Sequence, residues 1–438
     1  MLENNTSYQT IIGRNTLMGL LIFIMIMKIV GYFTLFDSLA LTRVVKIIMR
    51  CSVTGLIWLI FRYLKLQCGA VRFRYDNLFV LVFYLGYLLL GLYSFMWTTK
   101  IAYSALQWVM DLESIVFVYF LVKTLLLYNQ MHPHKPVRFN LVMAHTVTLI
   151  MIGFVIGMFV NPDKFYRLTH GGEVARLGGY LMNPNELGML IVIGAAAIYH
   201  EFYRRKNYVL LGLGLLILMW TLVLTGSRSS SISFMLVTLF FITLSESMHL
   251  KVLVIAGIVL AMPFVVNVIF LKMGDLEEVL SMTGRIPFWK ALLTEGLPKE
   301  PLFGFGFMRI AYGDKFESVH TYAAGMTHNT FIQVLMNLGL VGGVIVLFQL
   351  ISTIRAMMVE QDRHIRILCI GFFIPLFINS ITEFGIFGET NYAIMFYQIL
   401  IFMLVMHISD RHTPLEQLRR HAMQNYQQKK TYYKSGTR

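Results

Sequence analysis

Charge is scarce in this chain: only 14% of its 438 residues are Asp, Glu, Lys or Arg. An ordinary water-soluble protein carries about a quarter, so a soluble class is excluded. Acids are the scarcer sign, 23 against 37 Lys and Arg. The three cysteines, Cys51, Cys68 and Cys369, fall in apolar stretches or expected inner loops, which excludes a disulfide framework. No internal repeat, low-complexity tract or soluble domain interrupts the chain. What fills it is apolar: 57% hydrophobic residues and a mean hydropathy of +0.66. Such a chain is expected to be an all-α integral membrane protein. Its 28 Met and 34 Phe are spread through the apolar segments and read as packing or lipid-facing side chains.

Segments of roughly 20 apolar residues, enough to span a bilayer, fall near 16–36, 44–64, 77–97, 108–128, 140–160, 186–202, 208–225, 229–246, 250–271, 330–353, 366–384 and 392–408. That predicts about twelve transmembrane helices. The first is read as an uncleaved anchor, because its apolar core is too long for a signal peptide despite Ser38-Leu39-Ala40. The expected organisation is transmembrane helices over 1–271, a large external loop over 272–329, three further spans over 330–408 and a basic cytoplasmic tail over 409–438. Basic loops place both termini inside: Arg62 to Arg74, His134 to Arg138, Arg204-Arg205-Lys206, Lys251, and Arg355 to Arg366. The tail suits contact with anionic membrane lipid.

Several arginines break this inside bias. Arg167 and Arg176, with Lys164, lie in the outer loop 161–185. Arg228 lies in the outer turn Thr225-Gly226-Ser227-Arg228-Ser229-Ser230, and Arg285 in the long external loop. A guanidinium captures phosphate through two parallel hydrogen bonds; pairing with Glu173 or Glu186 is the plainer alternative. The same outer face collects helix starts: Asn183-Pro184-Asn185-Glu186 reads as a cap, a first-turn proline and a capping-box acid. Gly226 to Ser230 and Thr327-His328-Asn329-Thr330 open two more. Each start presents unpaired N–H groups and a positive dipole end, although capping alone accounts for Asn183, Pro184 and Glu186.

Within the external loop, Arg285 to Glu295 predicts a short helix with Trp289, Leu292 and Leu293 on one face. Gly304 and Gly306 mark a bend where backbone passes close to something. Its acids (Asp275, Glu277, Glu278, Glu295, Glu300, Asp314 and Glu317) are interleaved with basic residues and suggest no metal site. His320 reads as exposed. Glu383 and Glu389, at the outer ends of the last two spans, are candidates to orient His328 or an arginine. Asp111 and Glu113, near the fourth span, are intramembrane acids that could pair with Lys28, Arg43 or Lys46.

These motifs together resemble the O-antigen ligase and Wzy-type polymerase superfamily of bacterial surface-polysaccharide enzymes. The resemblance rests on Arg176 with Asn183-Pro184-Asn185-Glu186-Leu187-Gly188, on Leu224 to Ser229, and on Gly284-Arg285 with Trp289. It extends through Pro301-Leu302-Phe303-Gly304-Phe305-Gly306 and His328-Asn329 into Asn337-Leu338-Gly339-Leu340-Val341-Gly342. It covers about 175–345. It implies an inverting glycosyltransferase that needs no metal or cofactor, in the bacterial cytoplasmic membrane, taking a glycan from undecaprenyl diphosphate. Arg176, Arg228 and Arg285 would bind the diphosphate and His328 would be the base. Asn185, Ser227, Trp289, Gly304, Gly306, Asn329 and Glu383 would support them. A growing glycan is the expected acceptor; lipid A–core is the alternative, and a chain-length regulator is a possible partner, with no nucleic acid. A lipid-linked oligosaccharide transporter is the reading from another class. It fits less well, because the charges gather at one face and no repeated half is present.

Overall fold

The computed structural model describes residues 12–68, 71–169, 174–204, 209–265, 285–307, 327–383 and 385–408. Each of the twelve apolar segments contains a helix, in chain order α1 (Arg14–Val30), α2 (Leu39–Cys68), α3 (Phe79–Tyr93), α4 (Ile101–Met131) and α5 (Phe139–Val160). A one-turn helix, α6 (Pro162–Phe165), precedes α7 (Pro184–Arg204), α8 (Val209–Thr225), α9 (Arg228–Thr243) and α10 (Met248–Val265). The loop helix α11 (Arg285–Ala291) leads to α12 (Thr330–Val359), α13 (Arg363–Thr382) and α14 (Tyr392–Val405).

Six of these are long and apolar enough to cross a membrane: α2, α3 with its 3-10 extension to Met96, α5, α7, α12 and α13. Helices α8, α9 and α14 are apolar but shorter. Helix α4 carries Asp111, Glu113 and Lys123 along its length. The chain is therefore a mostly helical, multi-pass membrane protein.

Helix α7 occupies the centre. Every residue from Leu187 to Ile198 is buried, and α5, α8, α9 and α13 all pack on it. Its small residues permit this closeness. A Cβ on Gly188 would meet Ser230 Oγ at 2.5 Å, and one on Gly194 would meet Val147 at 2.6 Å. Helix α14 is likewise enclosed, whereas α2 turns Ile48, Leu59 and Leu66 outward.

Two short strand pairs amend the all-α expectation, one at each end of the bundle. At the expected inner end, β1 (Phe73–Tyr75) pairs antiparallel with β4 (Met406–Ile408). At the other end, β2 (Tyr166–Thr169) pairs with β3 (Val174–Leu177), so the outer loop 161–185 contains a hairpin.

Helix α12 is broken at Gly339, which has φ 63. A broken ladder leaves peptide groups that lipid cannot satisfy. The loop segment Pro301–Gly306 satisfies them instead. Leu340 N donates to Pro301 O (2.8 Å) and Val341 N to Leu302 O (3.1 Å), while Phe305 N and Gly306 N donate to Met336 O and Asn337 O, both at 2.9 Å. The bend at Gly304 and Gly306 thus passes close to the interior of a helix. A Cβ on Gly304 would lie 2.6 Å from the Asn337 and Leu338 backbone.

The loop helix differs from its expected face. Phe288 and Leu292 are buried against Phe305, Ile332 and Met336, with Trp289 beside them, while Leu293 is exposed. The helical turn widens after Ala291 into a π-turn over Leu292–Gly296. The expected partner Lys28 does pair with Glu113, which also binds Arg50 (3.1 Å); no ion pair of Glu113 with Arg43 or Lys46 is found among the described residues. Asp111 accepts from Thr390 Oγ1 at 3.3 Å. His320, the loop acids from Asp275 to Glu278, Asp314, Glu317 and the tail 409–438 lie outside the described residues.

Candidate active site

Three helix starts converge at the hairpin end of the bundle. At the first, Asn183 Oδ1 accepts Asn185 N (2.9 Å), and its carbonyl accepts Leu187 N (2.9 Å), with Pro184 at the first helical position. Asn183 does this capping, while Glu186 lies within electrostatic reach of Lys46 of α2. At the second, Gly226 takes φ 56 and Ser227 caps α9 through Ser230 N (3.4 Å). Ser230 Oγ donates to Asn185 O at 3.3 Å, which joins the starts of α9 and α7. At the third, Asn329 Oδ1 accepts Phe331 N (3.0 Å) and Ile332 N (3.1 Å), and its amide donates to Ile381 O of α13 (3.1 Å). Ser227 and Asn329 are therefore structural caps that fix where the helices begin.

One carboxylate sits where these starts meet. Glu383, just past the end of α13, is 1% exposed. Its Oε2 accepts from His328 Nδ1 at 2.8 Å. Its Oε1 accepts from Arg285 Nη2 and from Asn185 Nδ2, both at 2.7 Å. Asn185 passes the network on, because its Oδ1 accepts from Arg176 Nη2 at 2.6 Å. Arg176 Nε donates to Thr225 O at the end of α8 (2.7 Å), and Arg285 Nη1 donates to Thr382 O. Trp289 Nε1 donates to Thr327 O (2.7 Å), holding the loop helix beside His328.

The electrostatics follow from this crowding. Burial pulls the Arg176 guanidinium below its usual range; Glu383 opposes that, and the charges of Arg228, Arg167 and Arg285 add to it. Three other guanidiniums thus act on Arg176, and the buried Glu383 is the acid that opposes them. Burial raises Glu383, but the His328 hydrogen bond and the Arg285 charge outweigh it and leave the carboxyl below its ordinary value. His328 itself has φ 50, a left-handed backbone that costs about 1–3 kcal/mol in a non-glycine residue. Such strain persists only where surroundings hold it, and here Thr327, Asn329 and Glu383 do.

Of the residues singled out in the sequence, the structure brings together Arg176, Asn185, Arg285, His328 and Glu383 by direct contact, with Arg228 in electrostatic reach. Gly304 and Gly306 belong instead to the packing of broken α12. Arg176 binds Asn185 and Arg285 binds Glu383; Glu173 lies outside the described residues. Sequence reasoning did not place Arg167 at the site, although the register sets it directly opposite Arg176 across the hairpin. The signal was present: two arginines nine residues apart flank Gly171-Gly172, the spacing of a tight strand reversal. Among the described residues, no group of three His, Cys, Asp or Glu side chains could hold a metal ion.

Chemically, the arrangement offers a cluster of cations suited to a phosphate-bearing anion and an imidazole fixed by a carboxylate. No curated protein matches the chain. Residues 213–347 match the family model described as O-Antigen ligase, a span that holds Arg228, Arg285 and His328 and leaves Arg176, Asn185 and Glu383 outside it. Over residues 213–347, then, the chain is similar to the O-antigen ligase family.

Proposed function

We propose that this protein polymerises surface-polysaccharide repeat units, transferring a glycan from undecaprenyl diphosphate to a growing chain at the outer face of the bacterial cytoplasmic membrane. The proposal takes all twelve helices as spans, both termini as cytoplasmic, and the external loop as the cover of the site. The observation that carries it is the division of the Glu383 carboxylate between His328 and Arg285.

Because Nδ1 of His328 donates to Glu383, the neutral ring carries its lone pair on Nε2. That nitrogen takes the proton of the acceptor hydroxyl as its oxygen attacks the anomeric carbon. The glycosyl–phosphate bond breaks on the opposite side, inverting the centre, and its electron pair leaves with the diphosphate. Arg176, Arg228 and Arg285 stabilise the charge that develops there; preorganised cations lower such a barrier most where water is excluded. No step requires a metal ion. Glu383 keeps the imidazole oriented and offsets the positive charge it gains.

A second reading, ligation of the glycan to lipid A–core or another acceptor, is favoured by the description of the matched family. Its chemistry at these residues is the same. Purified protein given lipid-linked repeat units and EDTA distinguishes the two: a ladder of lengthened chains supports polymerisation, and one transferred product supports ligation. Neither product from a folded sample with its native donor would falsify both. Arg228→Ala and His328→Ala should each reduce turnover by about 10²–10⁴-fold with expression intact.

A further inference from the structure

Helices α7 and α13 run from the Glu383 cluster to the opposite end of the bundle, roughly 25 Å away at 1.5 Å per residue. There they enclose, with α4, α5 and α14, a cavity of about 310 Å³. Its deep wall is apolar, formed by side chains such as Leu125, Leu368 and Met403. Its polar rim carries Arg138 and Arg204, the single acid Asp362, and His200, His364 and His407.

The charges are not equivalent. Arg138 is held by Glu201 at 2.6 Å, and Asn140 takes the other oxygen of that acid (2.8 Å). Asp362 spends Oδ1 on His364 N (2.8 Å) and Ile365 N (3.3 Å), capping α13. Arg204, by contrast, forms no ion pair among the described residues.

His200 supplies a second and independent pointer. It is 1% exposed, and its Nε2 lies 3.0 Å from the backbone oxygen of His364. Only an N–H can make that bond, so Nδ1 of the neutral ring is an acceptor. That nitrogen is buried without a partner, as is His364 Nδ1. An unmade hydrogen bond at a buried group costs about 1–3 kcal/mol, which a ligand hydroxyl would recover.

We propose that this cavity binds a phosphate ester that also carries a free hydroxyl, such as the glycerophosphate headgroup of an inner-leaflet anionic phospholipid. The phosphate sits against Arg204 and the Arg138 edge. The hydroxyl donates to His200 Nδ1, and the first methylenes of the chain follow the apolar wall. The volume lies at the lower end of the range for small-molecule pockets, and basic pockets between helices at this membrane face suit acidic headgroups. The site stands apart from the proposed glycosyl transfer and shares no residue with it.

The test uses the full chain in nanodiscs of phosphatidylcholine with and without phosphatidylglycerol, followed by detergent washing and mass spectrometry of retained lipid. A parallel arm adds glycerol 3-phosphate to phosphatidylcholine discs and reads the melting temperature. Phosphatidylglycerol should be enriched about fivefold over its bulk share, the effect of one well-placed cation. Arg204→Gln, at an exposed position, should return it to the bulk share without changing the melting temperature in phosphatidylcholine, and His200→Gln should retain partial enrichment. A melting shift with glycerol 3-phosphate alone, lost in Arg204→Gln, would assign the site to a soluble ester. Bulk-ratio retention in the wild type, with no shift in the soluble arm, overturns the proposal.

Discussion

Glu383 and His328 are joined at 2.8 Å through Oε2 and Nδ1, although 55 residues separate them in sequence and one lies at the end of α13 while the other precedes α12. The opposite oxygen of the same carboxylate holds Arg285. One buried charge therefore sets both the orientation of an imidazole and the position of a guanidinium. Glu383→Gln keeps the shape and removes the charge. Turnover should fall by about 10²-fold or more, chiefly in kcat, with little change in donor KM. Equal turnover in the two proteins, measured on lipid-linked donor, would remove Glu383 from the mechanism.

Deeper in the bundle, Glu113 is the shared counter-ion of Lys28 and Arg50, and Thr54 also donates to it. Removing one partner of a buried set strands the others, at about 3–5 kcal/mol. Glu113→Ala should therefore lower the melting temperature markedly in detergent. The double variant Glu113→Ala, Lys28→Met should recover part of that loss, and additive losses would show that the groups are not coupled.

Gly339 has φ 63, and a Cβ there would lie 2.3 Å from the Leu302 carbonyl, which is backbone and cannot step aside. Gly339→Ala should cost more than about 2 kcal/mol and reduce the yield of monodisperse protein on size exclusion. Gly19→Ala, where nothing lies within 4 Å, is the matched control and should be near neutral.

Burial raises the Glu389 carboxyl to about 7, against the opposing pull of Arg43 and Lys46. A carboxyl raised on folding favours the folded state at low pH and loses that contribution as pH climbs through the folded value. Stability should thus decline between about pH 4.5 and 7, from the ordinary carboxyl value to the folded one, and Glu389→Gln should flatten the decline. Melting curves at both pH values read this directly. Glu383 works in the other sense, its contribution vanishing only as pH falls below the ordinary carboxylate range.

Much of the site was legible because it violates a statistical rule with a physical basis. Arg176, Arg228 and Arg285 stand out only against basic inner loops, and helix starts announce themselves through Asn183-Pro184 and Asn329. Glu383 was visible as an acid at a helix end, but its bond to both His328 and Arg285 is a tertiary fact. Arg167 stood out by the same rule, but its place opposite Arg176 was hidden because four-residue strands leave almost no alternation to detect. The break at Gly339 was hidden for another reason: glycine is ordinary in membrane helices, and only the docked segment Pro301–Gly306 shows that this one is not helical. Helix ends moved by several residues where polar turns intervened, as at Gly31, where α1 stops short of its expected limit.

That docked segment bears on how the protein is made. Helix α12 cannot complete its backbone pairing alone, since Leu340 and Val341 find their acceptors in chain synthesised some forty residues earlier. A translocating ribosome must therefore deliver the loop to the bilayer before the tenth hydrophobic segment can settle. Biogenesis of the membrane core thus waits on folding of a part that the hydropathy profile alone would assign to water.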